Sequence, residues 1–222
     1  MEKKDKETIK LAIKKVKKET YTPVIPIKQL GFVHNNVDCI GCRACEIACK
    51  DKNGLNAGPR FRRVQYIEGG VYPDVYAFKL NMSCNHCADP ACIPTCPTGA
   101  IFKRKKDGIV DIDTTICIGC RRCEAACPYG APQFDPEENV VKKCNMCVDE
   151  IDAGRKPYCV QACMMRVLDI DEIDKLWGNE SETKAIGKND KTVRMVKNMA
   201  NIELTKPSIA FVPHHKGKID DE

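Results

Sequence analysis

Sixteen cysteines in a chain of 222 residues, gathered into four groups of four with none left over, limit this fold more than any other feature. Cys39, Cys42, Cys45 and Cys49 form the first group, CIGCRACEIAC, and Cys84, Cys87, Cys92 and Cys96 the second, CNHCADPACIPTCP. The third is Cys117, Cys120, Cys123 and Cys127 in CIGCRRCEAACP, and the fourth is Cys144, Cys147, Cys159 and Cys163. Small core residues do not cluster in this way.

Three chemistries compete for such thiols. Disulfides suit an even count, but C-x2-C-x2-C spacing crowds the sulfurs too closely for independent bridges. Structural zinc takes two C-x2-C pairs separated by a longer loop, which only the fourth group resembles. In the first and third groups three thiols fall within seven residues and a fourth follows after three more. That run wraps three irons of a cubane and lends its last thiolate to a neighbouring cluster, so iron-sulfur ligation is expected.

The residues between the thiols fit this reading. Gly41 and Gly119 allow close backbone approach to a cofactor. Pro97 and Pro128, directly after Cys96 and Cys127, leave no N–H unpaired and fix the exit of the chain. Arg43, Arg121, Arg122, Lys142 and Lys143 are either ordinary solvated charges or cations that raise reduction potentials and face a partner. His86 stands between two cysteines and is expected to hydrogen-bond beside a cluster rather than to bind it.

Residues 39 to 49 match residues 117 to 127 at nine of eleven positions. The second and fourth groups match more loosely, CNHC against CNMC. The chain thus reads as two copies of a two-motif unit, with motifs that resemble those of a bacterial two-cluster ferredoxin. The expected fold is α+β and loop-rich, two ferredoxin-like modules related by internal duplication, with extensions at both ends. The segments at residues 46 to 48 and 124 to 126 suit one helical turn each. Apolar residues around the Gly-containing turn at 103 to 108 predict a β-hairpin.

Outside the cysteine groups the composition changes. Residues 1 to 20 hold eight lysines against four acids, with Ile9, Ile13 and Val16 at helical spacing, so a basic amphipathic helix is expected there. No apolar run approaches the roughly 18 residues of a membrane span, and the start shows neither a secretory leader nor a twin-arginine pair. Residues after 170 carry no cysteine and mix charge with scattered apolar side chains, a tail expected to wrap this protein or a neighbour. Trp177 is a packing residue or an interface anchor.

The motifs CIGCRACEIACKD, SCNHCADPACIPTCPTGAI, DGIVDID, CIGCRRCEAACPYGAPQF and CNMC followed by CVQAC span residues 31 to 170. Together they resemble the iron-sulfur subunit of the dimethyl sulfoxide reductase family. The resemblance implies clusters shared crosswise between groups. Cys39, Cys42, Cys45 and Cys163 would hold one cubane, and Cys144, Cys147, Cys159 and Cys49 another. Cys84, Cys87, Cys92 and Cys127 would hold a third, and Cys117, Cys120, Cys123 and Cys96 the fourth, giving four [4Fe-4S] clusters in all. Spacing alone does not choose these sets. The same resemblance divides the chain into a basic extension (1–30), a first module (31–80 with 140–171), a second module (81–139) and a partner-wrapping tail (172–222).

The function implied is that of a non-catalytic electron-transfer subunit of an oxidoreductase complex, of the kind that serves anaerobic respiration. It would relay electrons between a molybdopterin or tungstopterin catalytic subunit and a membrane anchor facing quinone, or another redox partner. An alternative is a soluble cytosolic complex oxidising formate or aldehydes and linked to hydrogenase or ferredoxin. A zinc-holding scaffold is the rival from another class. The subunit would be soluble or membrane-associated through its complex, without a leader of its own, on the cytoplasmic side or exported with its catalytic partner.

Charge bears on the rival. The 36 Lys and Arg against 31 Asp and Glu give a formal charge of +5. Ligated cubanes carry about −2 each, which brings the total to about −3. The basic surplus is then a counterweight to the clusters, and nucleic-acid binding loses its support.

Overall fold

The computed structural model describes residues 24–178, 180–187 and 190–217. The basic helix expected within residues 1 to 20 lies outside the described residues.

One small sheet organises the molecule. Its centre is β1 (Leu30–Asn35), in which every residue is buried. β8 (Leu168–Glu172) pairs antiparallel with β1 on one side, and β9 (Ile209–Val212) pairs parallel with it on the other. A strand covered on both faces needs no alternation of polar and apolar residues, so LGFVHN carries no two-residue period. Phe32 joins the large core around the cysteines, while Val33 packs with Ile173, Leu176, Ala185 and Ala210 in a separate small core.

The apolar run at 209 to 212, too short for a membrane, is the buried third strand of this sheet. The tail after residue 170 therefore wraps this chain, supplying helix α5 (Ile173–Gly178) and β9, and Trp177 donates to the Ile209 carbonyl at 3.1 Å.

Three antiparallel hairpins complete the β structure. They are β2 (Arg63–Val71) with β3 (Asp74–Met82), β4 (Ile101–Lys103) with β5 (Val110–Ile112), and β6 (Gln133–Asp135) with β7 (Val140–Lys142). The middle one is the hairpin expected around the turn at 103 to 108. Short helices follow the cysteine loops: α1 (Ala44–Lys52), α2 (Arg122–Ala126), α3 (Val148–Asp152) and α4 (Tyr158–Gln161). The architecture is mixed α and β and loop-rich. Six of the buried residues of its largest core are cysteines, namely Cys45, Cys49, Cys84, Cys144, Cys159 and Cys163. No helix among the described residues is long and apolar enough to cross a membrane.

Candidate metal centres

The two near-identical runs take the same backbone path. Gly41 and Gly119 have φ of 72° and 64°, and Arg43 and Arg121, which precede α1 and α2, have φ of 61° and 59°. Two left-handed residues around the second cysteine curl each loop so that its three thiols face inward. A Cβ on Gly41 would collide with the Tyr66 hydroxyl, and one on Gly119 would come within 2.5 Å of the Asn139 carbonyl oxygen. Protein packing and positive φ, rather than room for a cofactor alone, therefore account for both glycines.

All sixteen cysteines are free. Cys39, Cys42, Cys45 and Cys163 line one cavity of about 320 Å³, although 118 residues of chain separate Cys45 from Cys163. Cys84, Cys87, Cys92 and Cys127 line a second of about 380 Å³, and Cys96, Cys117, Cys120 and Cys123 a third of about 310 Å³. Cys49 lies among the remaining thiols. Burial pushes its pKa far up, and Cys144, Cys159 and Cys147 push it further.

The thiols stand around volumes, not points. Four thiolates on one zinc at about 2.3 Å would close to roughly 3.8 Å from each other, yet among the described residues no three His, Cys, Asp or Glu side chains are grouped to hold a single metal ion. A polynuclear cluster suits this geometry better. N–H donors already point at several sulfurs: Asn81 Nδ2 at Cys45 Sγ (3.4 Å), Val141 N at Cys117 Sγ (3.4 Å), Met146 N at Cys144 Sγ (3.4 Å) and Ala131 N at Cys127 Sγ (3.5 Å). Such donors stabilise thiolates and cluster sulfurs. Asn85 is 1% exposed, lines the second cavity, and has no hydrogen-bond partner for either side-chain amide atom. A buried amide left in this way fits a cavity whose occupant supplies the missing partners.

Burial alone raises the thiol pKa values, to about 12 at Cys87 and about 11 at Cys144 and Cys123. Neutral thiols are thus favoured until a metal or a cation compensates the charge. Two cations are buried beside the thiols. Arg62 is 2% exposed, and although burial works against its charge, Cys159, Cys45, Cys144 and Cys49 hold its pKa above the ordinary value. Lys143 is 5% exposed, donates to the carbonyls of Val110 and Cys144, and is likewise opposed by burial but raised by Cys84, Asp111, Cys92 and Cys144.

These contacts give the four sets an order. Cys45 acts on Cys159, and Cys84 acts on Cys144, so the Cys144 set lies between the Cys45 set and the Cys84 set. Cys92 of the Cys84 set packs into the small core that holds Cys96, Cys117 and Cys123. Cys42 and Cys120, in the two terminal sets, are exposed, whereas Cys49, Cys144, Cys147 and Cys159 are all buried.

The other residues singled out from the sequence take varied places. Arg43 lines the first cavity with its guanidinium 5.5 Å from the Tyr66 ring centroid, and Arg121 lines the third at 5.2 Å from that of Phe134. Pro128 lines the second cavity and Pro97 is exposed. His86 is fully buried and accepts from the Val110 N–H at 3.0 Å through Nδ1, while burial first, then Lys143 and Lys103, holds its pKa well below the usual value.

Sequence reasoning missed Arg62, Asn81, Asn85 and Thr205. Thr205 lines the second cavity from the tail, and the Tyr129 and Thr205 hydroxyls lie 2.9 Å apart. The tail is stitched over the Cys84 loop by Ala88 N to Lys206 O (2.8 Å), Asp89 N to Thr205 O (3.0 Å) and Ser208 N to Asn85 O (2.9 Å). Contacts across more than a hundred residues leave no local signal.

Comparison with known proteins agrees with the chemistry. The family described as a 4Fe-4S dicluster domain matches residues 75–173. The chain is 39% identical over 194 residues to the iron-sulfur subunit of anaerobic dimethyl sulfoxide reductase from Escherichia coli, covering 84% of this chain and 89% of that one. It is 43% identical over 159 residues to the protein of the same name from Haemophilus influenzae, covering 68% and 77%. It is also 40% identical over 156 residues to the iron-sulfur subunit of sulfite dehydrogenase from Allochromatium vinosum, covering 61% and 65%. With thiols ringing its cavities and relatives of this kind over most of its length, the chain belongs to the family of dimethyl sulfoxide reductase iron-sulfur subunits.

Proposed function

We propose that the chain carries four [4Fe-4S] clusters, one in each cysteine quartet, and relays electrons through a partner enzyme. The ligands would be Cys39, Cys42, Cys45 and Cys163; Cys49, Cys144, Cys147 and Cys159; Cys84, Cys87, Cys92 and Cys127; and Cys96, Cys117, Cys120 and Cys123. The observation that carries this reading is that thiols from distant parts of the chain gather around single cavities. Bound clusters would supply one-electron oxidation and reduction.

The chain's own residues do the rest. Backbone and amide N–H groups steady the thiolates, Arg62 and Lys143 balance buried negative charge, and the tail shields the Cys84 set from water. The terminal sets reach the surface at Cys42 and Cys120, near two exposed isoleucines, Ile40 and Ile118. One end would face a molybdopterin or tungstopterin catalytic subunit, and the other a membrane anchor or second redox partner. No acid–base pair or nucleophile is needed for a relay. The two modules would be copies of one unit, the similar φ values at Gly41 and Gly119 being its backbone trace.

Metal and acid-labile sulfide analysis of anaerobically purified protein tests this reading. About sixteen irons per chain and brown absorption are expected. A colourless protein with about four zinc atoms would contradict it and favour the scaffold. Co-purification with a large pterin-containing subunit would identify the partner.

A further inference from the structure

Arg62 is among the largest fully buried side chains, and among the described residues it has no carboxylate partner. It is anchored by neutral groups only. Nη1 donates to Asn81 Oδ1 at 2.9 Å, Nη2 donates to Ser83 Oγ at 3.0 Å, and the guanidinium carbon lies 4.3 Å from the Phe32 ring centroid. Nε is buried without a hydrogen-bond partner.

An unpaired guanidinium held away from water is costly unless opposite charge lies close by. The groups that act on it electrostatically are Cys45 on one side and Cys49, Cys144 and Cys159 on the other. It therefore stands between two quartets, and Asn81 ties it further to the first by donating to Cys45 Sγ at 3.4 Å. The quartet of Cys96, Cys117, Cys120 and Cys123 is packed instead with Ile101, Ile112 and Val141, and the one cation lining its cavity is the exposed Arg121.

We infer that Arg62 is the shared counter-cation of the clusters held by the Cys45 quartet and the Cys144 quartet, and that it selectively raises the reduction potential of those two centres. The inference rests on the ligand sets proposed above. Adding an electron makes a cluster more negative, so a fixed positive charge in a low-dielectric site favours the reduced form of both neighbours. Arginine suits this role because its charge is permanent and its planar fork can be held by two neutral acceptors.

The test is a redox titration of the full holoprotein followed by electron paramagnetic resonance. In Arg62→Gln, two of the four centres shift toward the oxidised form by at least tenfold in the reduction equilibrium, about 59 mV for one electron. The other two move by less than about threefold, and Arg62→Lys restores most of the change. Should Arg62→Gln not take up iron, Asn81→Asp carries the test, because an isosteric carboxylate beside Nη1 neutralises the cation without removing it. The same two centres then become harder to reduce. Four unchanged midpoints in a fully loaded variant, or an equal shift of all four, would overturn the role of Arg62. A wild-type protein with fewer than four reducible centres would instead overturn the ligand sets.

Discussion

The runs at residues 39 to 49 and 117 to 127 match at nine of eleven positions and share their left-handed glycine and arginine, yet their surroundings differ. The first continues into a nine-residue helix whose buried cysteines join the largest core, beside a buried arginine. The second ends in a five-residue helix against hairpins of three-residue strands, with a small core of Ile101, Val110, Cys123 and Val141. Ligand spacing is therefore repeated while packing and charge are not, and it is the latter that distinguish otherwise equivalent metal centres.

Glutamate shows the difference at a single position. Glu46 is 6% exposed and accepts the Val64 N–H, stitching α1 to β2. Its counterpart Glu124 forms an ion pair with the exposed Arg121 at 2.7 Å.

Removal of iron is the largest perturbation expected. Chelation unfolds the protein, and amides of β4 and β5 lose hydrogen-exchange protection before those of β1, because the second run has less core to fall back on. An apo-protein with native circular dichroism would break this part of the comparison.

Glu46→Ala, which strands a buried N–H, costs about 1–3 kcal/mol, whereas Glu124→Ala costs under about 1 kcal/mol. Urea unfolding of the two holoproteins measures the difference; equal losses would show that the runs are supported alike. Gly41→Ala and Gly119→Ala should behave as a matched pair, each losing about 1–2 kcal/mol from the positive φ alone.

The smallest effect concerns pH. Burial first, opposed by Asn36 and assisted by Arg62, lowers the pKa of His34 in β1 to about 4. Its folded pKa lies below its unfolded value of 6.5, so the unfolded chain binds the extra proton and stability falls as pH drops from about 6.5 towards 4. Between about pH 7 and 5.5 His34 should account for a loss of about 1 kcal/mol. A His34→Leu holoprotein with an unchanged pH slope would contradict this.

Much of the chemistry was legible because cluster ligation is local: three thiols in seven residues, the Gly and Arg between them, and the Pro that closes the second and third groups. The β4–β5 hairpin was legible for the same reason. The central sheet was not, because β1 is buried on both faces and β9 enters beside it from the far end of the chain. Nor was Arg62 visible in RFRRVQ, where three arginines read as a solvated stretch until folding buries one of them against Phe32. The tail that reads as polar gives its few apolar residues to the sheet and its Thr205 to a cysteine cavity.

Assigning midpoint potentials to the two matched runs tests the central claim most directly. Cys45→Ser and Cys123→Ser each remove or convert one centre, so redox titrations of the two variants against the wild type identify the midpoint that each run contributes. The centre lost in Cys45→Ser, next to the buried guanidinium, should have the higher midpoint by at least tenfold in its reduction equilibrium, about 59 mV. Equal midpoints, or a higher one for the Cys123 centre, would contradict the account, since the ligand runs alone would then set the potentials.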